Sequence, residues 1–238
     1  TLAREYASFF SPLEPSCYNP AVSFEDPLTS FSGLGKYQAN VDMLASRTPL
    51  GRFLFADAVI LLHSTTPLPP PHALQTRWTL KMRMPAFPWK PALAFTGVSR
   101  YELDDAGRVL AQEDYWDSID ATPGGGYKRS GRGGALGDFL GQIFDPSVKA
   151  GAAAPELPYT LLRRGPGYEV RRLPRAVAYA GLEYGRRDEA FERLGRATRG
   201  VEGVMGPAII EVGGGKRMRW PVAFSMGDTR ELEEVAER

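Results

Sequence analysis

The segment from Gln75 to Met84 constrains the fold most, because its apolar and polar side chains alternate residue by residue. The apolar set is Trp78, Leu80, Met82 and Met84, and the basic set is Arg77, Lys81 and Arg83. A period of two is typical of a β-strand with one buried and one solvated face, and it does not fit a helix. We therefore predict an antiparallel sheet that is covered on one side.

Strand signals also surround this segment. Phe53–Ser64 is rich in branched and aromatic residues, and Leu93–Leu103 and Arg108–Trp116 are joined by a short turn. Helical spacing predicts one short helix after Leu2 and a second from Gly35 to Ala45. Helices on one face of a curved antiparallel sheet are an α+β arrangement, which we predict for residues 1–118.

The remainder divides into a linker and a second module. Residues 119–157 are rich in glycine, with a short amphipathic helix predicted around Leu136–Phe144. Residues 158–238 contain two strand signals, a helical segment at Arg187–Arg199 and a hairpin across Gly213–Gly215. We predict a ββαββ module there.

Composition excludes several classes of function. The formal net charge of +1 provides no field for binding nucleic acid, and no apolar run reaches the length of a membrane span. Cys17 is the single cysteine, and the two histidines do not form a metal-ligand set. We expect no catalytic residues, no metal site, no nucleic-acid partner and no membrane-spanning segment.

The second module resembles the SOUL family of heme-binding proteins. The matching residues include Tyr168–Arg172, Ala190–Leu194, Val204–Ala208 and Met218–Pro221. The module corresponds to about half of the two-part SOUL domain, so the resemblance implies a SOUL-like half-barrel with an open apolar face. Met205–Pro207 lacks the threonine that is usual in the family.

The first module resembles the NTF2/SnoaL-like domain, of the DUF2358 type, that precedes SOUL in some chloroplast proteins. The matching motifs include Phe24–Pro27, Thr76–Trp78, Phe87–Pro91 and Asp114–Asp117. This resemblance implies a pocket, for which the polar and aromatic candidates are Asp26, His63, Trp78, Tyr101, Asp114 and Asp117. It also implies a chloroplast location, in the stroma or at the thylakoid surface.

The SOUL resemblance implies a tetrapyrrole groove, with heme or a related tetrapyrrole as cofactor. Its predicted ligand-binding residues are Arg187, Phe191, Arg193, Leu194, Met205 and Trp220. The apolar residues would contact the macrocycle, and the arginines would pair with its propionates. The alternative is that Phe191 and Leu194 pack on their own sheet while the arginines extend to solvent.

Three functions remain open from the sequence. The first is a non-enzymatic tetrapyrrole carrier, and the second is a scaffold or accessory subunit of a chloroplast assembly that binds a protein partner through the same apolar surface. The third is an NTF2-like isomerase or hydrolase, which would need a closed cavity in which Asp26 or Asp114 has a perturbed pKa.

Overall fold

The chain divides into two compact units, Thr1–Lys149 with Leu161–Arg171 and Ala150–Thr160 with Arg172–Arg238. The structure is a computed structural model, and it describes residues 2–71, 73–144, 159–173, 178–183, 209–211 and 217–222, together with Glu189, Glu192, Arg193 and Arg196. For the strands after residue 177 the description is one of backbone and pairing.

The first unit is a mixed α+β structure with a curved antiparallel sheet, as the sequence predicts. Its helices are α1 (Leu2–Ala7), α2 (Leu34–Leu44), α3 (Pro49–Leu54) and α4 (Arg132–Ile143). Its main strands are β1 (Tyr18–Glu25), β2 (Ser30–Ser32), β3 (Ala56–Pro67), β4 (Leu74–Arg83), β5 (Ala92–Leu103) and β6 (Val109–Trp116). A short hairpin of β7 (Thr160–Gly165) and β8 (Tyr168–Arg172) follows.

Six strands form one sheet in the order β2-β1-β6-β5-β4-β3. The predicted meander is confirmed, because β3 to β6 pair consecutively and antiparallel. β1 adds a feature that the sequence analysis did not predict, since it pairs parallel to β6, with Phe24 opposite Gln112. The first strand thereby reaches the central part of the sheet and brings the Asp26 turn to the end of β6.

One strand begins later than predicted. Residues before Ala56 form α3, because Thr48 accepts a hydrogen bond from the Gly51 amide and Pro49 occupies the first helical turn. A threonine cap followed by proline is a strong helix start, and it overrides the β-propensity of Phe53. The predicted helix at the linker is confirmed as α4, which lies against β5 and presents Phe139 to Phe95.

Both faces of the six-stranded sheet are covered, so the prediction of a sheet covered on one side is wrong for the central strands, where Thr79, Thr96 and Val98 on the second face are also buried. We call the side of Trp78, Ser99 and Asp114 the inner face; α1 and α2 provide the tyrosines that bond to it. We call the side of Arg77 and Thr96 the outer face, and residues 161–164 lie on it. Alternation along β4 and β5 therefore separates two sets of buried polar contacts on opposite sides of one sheet.

The second unit contains β9 (Ala178–Glu183), β10 (Ile209–Glu211) and β11 (Arg217–Val222). They form an antiparallel sheet in the order β10-β11-β9, with Trp220 opposite Ala180. The predicted hairpin partners are therefore confirmed. The SOUL-like half-barrel stays a prediction. So do the domain boundaries at 118 and 157 and the role in a chloroplast assembly.

Gly97 provides a test of the sheet packing. A Cβ there would fall on the Tyr115 carbonyl oxygen and press on the Trp78 ring, so we expect Gly97→Ala to reduce the free energy of unfolding by about 1–3 kcal/mol or more. Gly137→Ala is the matched control, because nothing lies within 4 Å of its Cβ position and alanine favours helix α4. Urea unfolding measures the stability of both variants. A Gly97→Ala midpoint equal to that of wild type would contradict the close approach of β5 and β6 at Gly97 and Tyr115.

Candidate functional site

A cavity of about 70 Å³, open to solvent on one side, lies between the inner face and helices α1 and α2. Its aromatic lining residues are Tyr6, Phe9, Phe10, Phe24, Tyr37 and Trp78. The polar lining residues are Asn40, Ser99, Gln112 and Asp114, and the aliphatic ones are Val41, Leu44, Ile60 and Leu80. Mostly apolar walls with a few polar groups are the usual composition of a small-molecule site.

The hydroxyl of Tyr6 connects α1 to two strands. It lies 2.9 Å from Thr76 Oγ1, 2.9 Å from the Tyr101 hydroxyl and 3.3 Å from Ser99 Oγ. Trp78 Nε1 donates a 2.8 Å hydrogen bond to the same Ser99 oxygen. All of these groups are buried, so each would be costly to leave without a partner. The network therefore holds α1 over the cavity.

Tyr37 connects α2 to the sheet in the same way that Tyr6 connects α1. Its hydroxyl donates a 2.6 Å hydrogen bond to Gln112 Oε1, and Gln112 Nε2 donates a 2.8 Å bond to Asp114 Oδ1. The donor on Tyr37 thus orients the amide, so Gln112 presents N–H and not oxygen to the carboxyl group. Asp114 accordingly receives a hydrogen bond that stabilises its charged form.

Burial nevertheless raises the pKa of Asp114 from its ordinary 3.8 to about 7. The negative charge of Asp26 raises this pKa further, whereas hydrogen bonds from Ser99 and Gln112 and the charge of Arg129 lower it. Asp114 therefore changes protonation near neutral pH inside an aromatic cavity. It can donate a proton, accept one or serve as a counter-ion.

Asp26 lies in the turn after β1. Burial raises its pKa too, but its carboxylate accepts hydrogen bonds from the backbone amides of Leu28 and Thr29 and from the Thr29 hydroxyl. These contacts are typical of an aspartate that stabilises a turn. Asp26 therefore acts on the cavity through its charge and does not line it.

Two further candidates from the sequence lie on the outer face. Asp117 is fully buried there and accepts hydrogen bonds from Arg77, Tyr127 and Thr96 at 2.6–2.7 Å. His63 Nε2 lies 2.7 Å from Thr79 Oγ1, which donates to the carbonyl oxygen of Leu161. Because that hydroxyl proton is already donated, His63 must supply the proton of its own bond, which places it on Nε2. Neither residue reaches the cavity.

The sequence identified only part of the cavity. Trp78 and Asp114 line it, and Tyr101 is one hydrogen bond away through Tyr6. Tyr37, Ser99 and Gln112 were missed. The available signal was parity: Thr76, Ser99, Gln112 and Asp114 are polar residues at positions that the strand alternation assigns to the apolar face.

The predicted tetrapyrrole residues are not tested by the geometry. Arg187, Phe191, Leu194 and Met205 lie outside the described residues. Arg193 has helical backbone and an exposed side chain, and Trp220 lies in β11, where only its backbone is described. The groove therefore stays a prediction. Among the residues described, no group of three or more histidine, cysteine or acidic side chains is arranged to hold a metal ion.

Arg47 holds in place the corner of the chain at Phe9 and Phe10, which we call the mouth of the cavity. Its guanidinium donates a 2.9 Å hydrogen bond to Asp42, and it donates a 2.5 Å bond to the carbonyl oxygen of Phe9. Phe9 and Phe10 have φ angles of 51° and 56°, a left-handed conformation that is uncommon for residues with a side chain. The arginine thus stabilises a strained corner that ends in two cavity-lining rings.

The comparisons concern mainly the first unit. A family model described as "Uncharacterized conserved protein (DUF2358)" matches residues 1–112, which confirms the predicted DUF2358-type resemblance of the N-terminal part. A search of curated proteins gives no significant match. Over the described residues, no helix has both the length and the apolar character to cross a membrane.

Several solved structures are similar to this chain. An NTF2-like protein of unknown function from Exiguobacterium sp. 255-15 has 14% identity and a TM-score of 0.39, covering 49% of this chain and 98% of its own. The epoxide hydrolase/cyclase-like enzyme SalBIII has 10% identity and a TM-score of 0.38, with coverages of 48% and 82%. A Mycobacterium tuberculosis protein in complex with estradiol-17beta-hemisuccinate has 16% identity and a TM-score of 0.32, with coverages of 42% and 76%.

The pKa of Asp114 predicts how stability depends on pH. The folded state retains a proton that the unfolded chain loses above about pH 4, so the contribution of this group is complete at low pH and is lost as pH rises towards 7. Asp114→Asn removes the ionisation and keeps an acceptor for Gln112. We expect the variant to be more stable than wild type at pH 8 and to differ little at pH 4.

Urea unfolding at both pH values measures this effect, with Asp105→Asn in an exposed turn as the matched control. A difference between Asp114→Asn and wild type that is the same at pH 4 and pH 8 would contradict the shifted pKa.

Removal of the Arg47 side chain should increase the mobility of the segment that carries Phe9 and Phe10. We expect Arg47→Ala to accelerate amide hydrogen exchange across residues 8–11, because two bonds to that segment are lost. Arg83→Ala is the control, because the Arg83 side chain is 59% exposed and its ion pair with Asp57 is long, at 3.6 Å. Unchanged exchange in Arg47→Ala would show that the corner is held by other contacts.

Proposed function

We propose that the first unit is a non-enzymatic binding domain for a small, largely apolar molecule that places one polar group beside Asp114. The observation that supports this most directly is the cavity itself, whose lining, among the residues that the structure describes, combines six aromatic side chains with one carboxyl group. The buried networks of Tyr6 and Tyr37 keep the walls in position before any ligand arrives. A preformed site loses less conformational entropy on binding.

The cavity volume limits the ligand. Its 70 Å³ is less than half of the roughly 150 Å³ of an apolar cavity that holds benzene. A group of a few heavy atoms fits, and the open side lets the rest of a longer molecule extend into solvent. A tetrapyrrole is too large, so the predicted heme or other tetrapyrrole cofactor would need the residues predicted in the second unit.

Proton transfer by Asp114 is a second candidate. The enzyme hypothesis required a cavity in which Asp26 or Asp114 has a perturbed pKa, and burial raises both pKa values. A carboxyl group with a pKa of about 7 is suited to exchanging protons at neutral pH. Binding is the simpler proposal, because it requires only the cavity and its hydrogen-bonding group.

A scaffold or accessory-subunit role has a separate basis in α4. Leu136, Leu140 and Phe144 are 51%, 42% and 50% exposed and follow a four-residue spacing along one side of the helix. An exposed apolar row of this kind is typical of a surface that contacts another molecule. A chloroplast location for such an assembly stays a prediction from the SOUL resemblance.

Binding in the cavity can be tested with tert-butanol as a small neutral probe. We expect saturable shifts of the Trp78 indole N–H signal in proton–nitrogen NMR spectra. Val41→Phe should abolish the shifts, because the added ring fills the cavity from α2. Val170→Phe is the matched control on an exposed strand position. No saturable shift in wild type, or equal shifts in both variants, would overturn the proposal.

A further inference from the structure

We propose that the cavity recognises a small methylated ammonium group, with the aromatic walls contacting the cation and Asp114 as its counter-ion. This inference rests on the proposed binding function and specifies the chemical class of the ligand. It depends on the charge inventory of the lining, on the arrangement of the rings and on the orientation of Gln112.

The charge inventory favours a cation. Of the described residues that line the cavity, Asp114 alone is acidic, and none is a lysine, arginine or histidine. Two arginines outside the lining have acidic partners of their own: Arg47 pairs with Asp42, and Arg129, whose charge lowers the pKa of Asp114, pairs with Glu25 at 3.0 Å. Asp26 adds a second negative charge whose field reaches Asp114. An anionic ligand would meet like charge, whereas a cation would relieve it.

The rings form walls at steep angles to one another. Tyr37 is near-perpendicular to Phe10 and to Phe24, with interplanar angles of 73° and 81° and centroid separations of 6.5 and 5.9 Å. Tyr6 and Trp78 also line the cavity. Aromatic residues grouped in this way attract ammonium groups through their electron-rich faces, and the attraction is strongest where water is excluded.

The orientation of Gln112 favours the ionised form of Asp114, which suits a cation and disfavours a neutral ligand that can only accept hydrogen bonds. Because Tyr37 donates to Gln112 Oε1, the amide directs its N–H at Asp114 Oδ1. A donated hydrogen bond stabilises the ionised carboxylate, which is the form that pairs with a cation. A neutral carbonyl ligand would instead need Asp114 to be protonated as a donor.

Methylation of the ammonium group follows from the scarcity of acceptors. A primary ammonium carries three N–H donors that need partners when buried. Most of the lining is apolar, so three N–H donors on one buried nitrogen would share few acceptors, chiefly Asp114, Asn40 and Ser99. A trimethylammonium group has no such requirement, and its few heavy atoms match the small cavity.

Ionisation of Asp114 sets the pH dependence. The groups that face it are Tyr6 from α1, Tyr37 from α2, Ser99 and Tyr101 from β5, Gln112 on its own strand, Asp26 from the β1–β2 turn, and Arg129. Burial raises the pKa values of the three tyrosines above 10, so they stay neutral between pH 6 and 8. With a pKa of about 7, Asp114 becomes about tenfold more ionised across that interval.

The test compares tetramethylammonium with tert-butanol, a neutral probe of similar size, by NMR titration of the full chain. We expect tetramethylammonium to bind more tightly than tert-butanol at pH 8 and to lose affinity about tenfold at pH 6. The affinity for tert-butanol should not fall with pH in this way. Asp114→Asn should weaken tetramethylammonium binding at least tenfold at pH 8, and Asp105→Asn should not change the affinity for either probe.

The outcomes separate the two proposals. If tert-butanol binds and tetramethylammonium does not, or if both probes have the same affinity and pH profile, the ammonium inference is wrong and the binding function stands. If neither probe binds, the ammonium inference and the proposed binding function are both wrong. A dispersed proton–nitrogen spectrum shows whether Asp114→Asn is folded, and the pH profile of the wild-type protein provides a test that needs no variant.

Discussion

The hydroxyl of Tyr6 is the contact on which the cavity depends. Helix α1 is only six residues long, so its own hydrogen bonds contribute little stability. Its buried phenol bonds to Thr76, Ser99 and Tyr101 on two neighbouring strands, and the adjacent Glu5 accepts a second buried hydrogen bond, from the Tyr18 hydroxyl. These bonds fix the height of the helix above the sheet, and that height determines how much space remains between Trp78 and the rings of the mouth.

Asp114 and Asp117 are close in sequence but lie in opposite electrostatic environments on the two faces of the sheet. Asp117, beyond the end of β6, points to the outer face, where Arg77, Arg163 and Tyr127 surround it and its charge is paired. Asp114 points to the inner face, where aromatic rings surround it and its pKa rises. A paired carboxylate stabilises a tertiary contact, in this instance with residues 161–164. An unpaired one keeps the ability to interact with a ligand.

Much of the fold could be predicted from period-two patterns and turn residues. The strands β4, β5 and β6, helix α2 and the docked helix α4 all follow from local signals, because each alternation or helical spacing reflects a face that must be buried. The parallel pairing of β1 with β6 could not be predicted, since Tyr18 and Val109 are distant in sequence and parallel pairing leaves no local signature. The start of β3 was placed too early because the Thr48 cap was not recognised.

The site was predicted less well than the fold. His63 and Asp117 have the residue types of a pocket, yet the alternation of the strands turns them to the outer face. Tyr37 was predicted only as part of the second helix, and Gln112 was not singled out, because neither is unusual until a hydroxyl from α2 meets an amide on β6. Hydrogen bonds between residues 75 positions apart depend on the final packing of helix on sheet, which local patterns do not encode.

The sequence by itself determined that one face of an antiparallel sheet is buried and that polar residues stand at some of its inward positions. Only the tertiary structure decided that these residues meet beneath two tyrosines, that aromatic rings shield Asp114 from most solvent while Asp117 gains arginine partners, and that a small aromatic space remains. The physical reason is that strand parity is a property of neighbouring residues. Desolvation and cavity volume, in contrast, depend on every element that packs around a point.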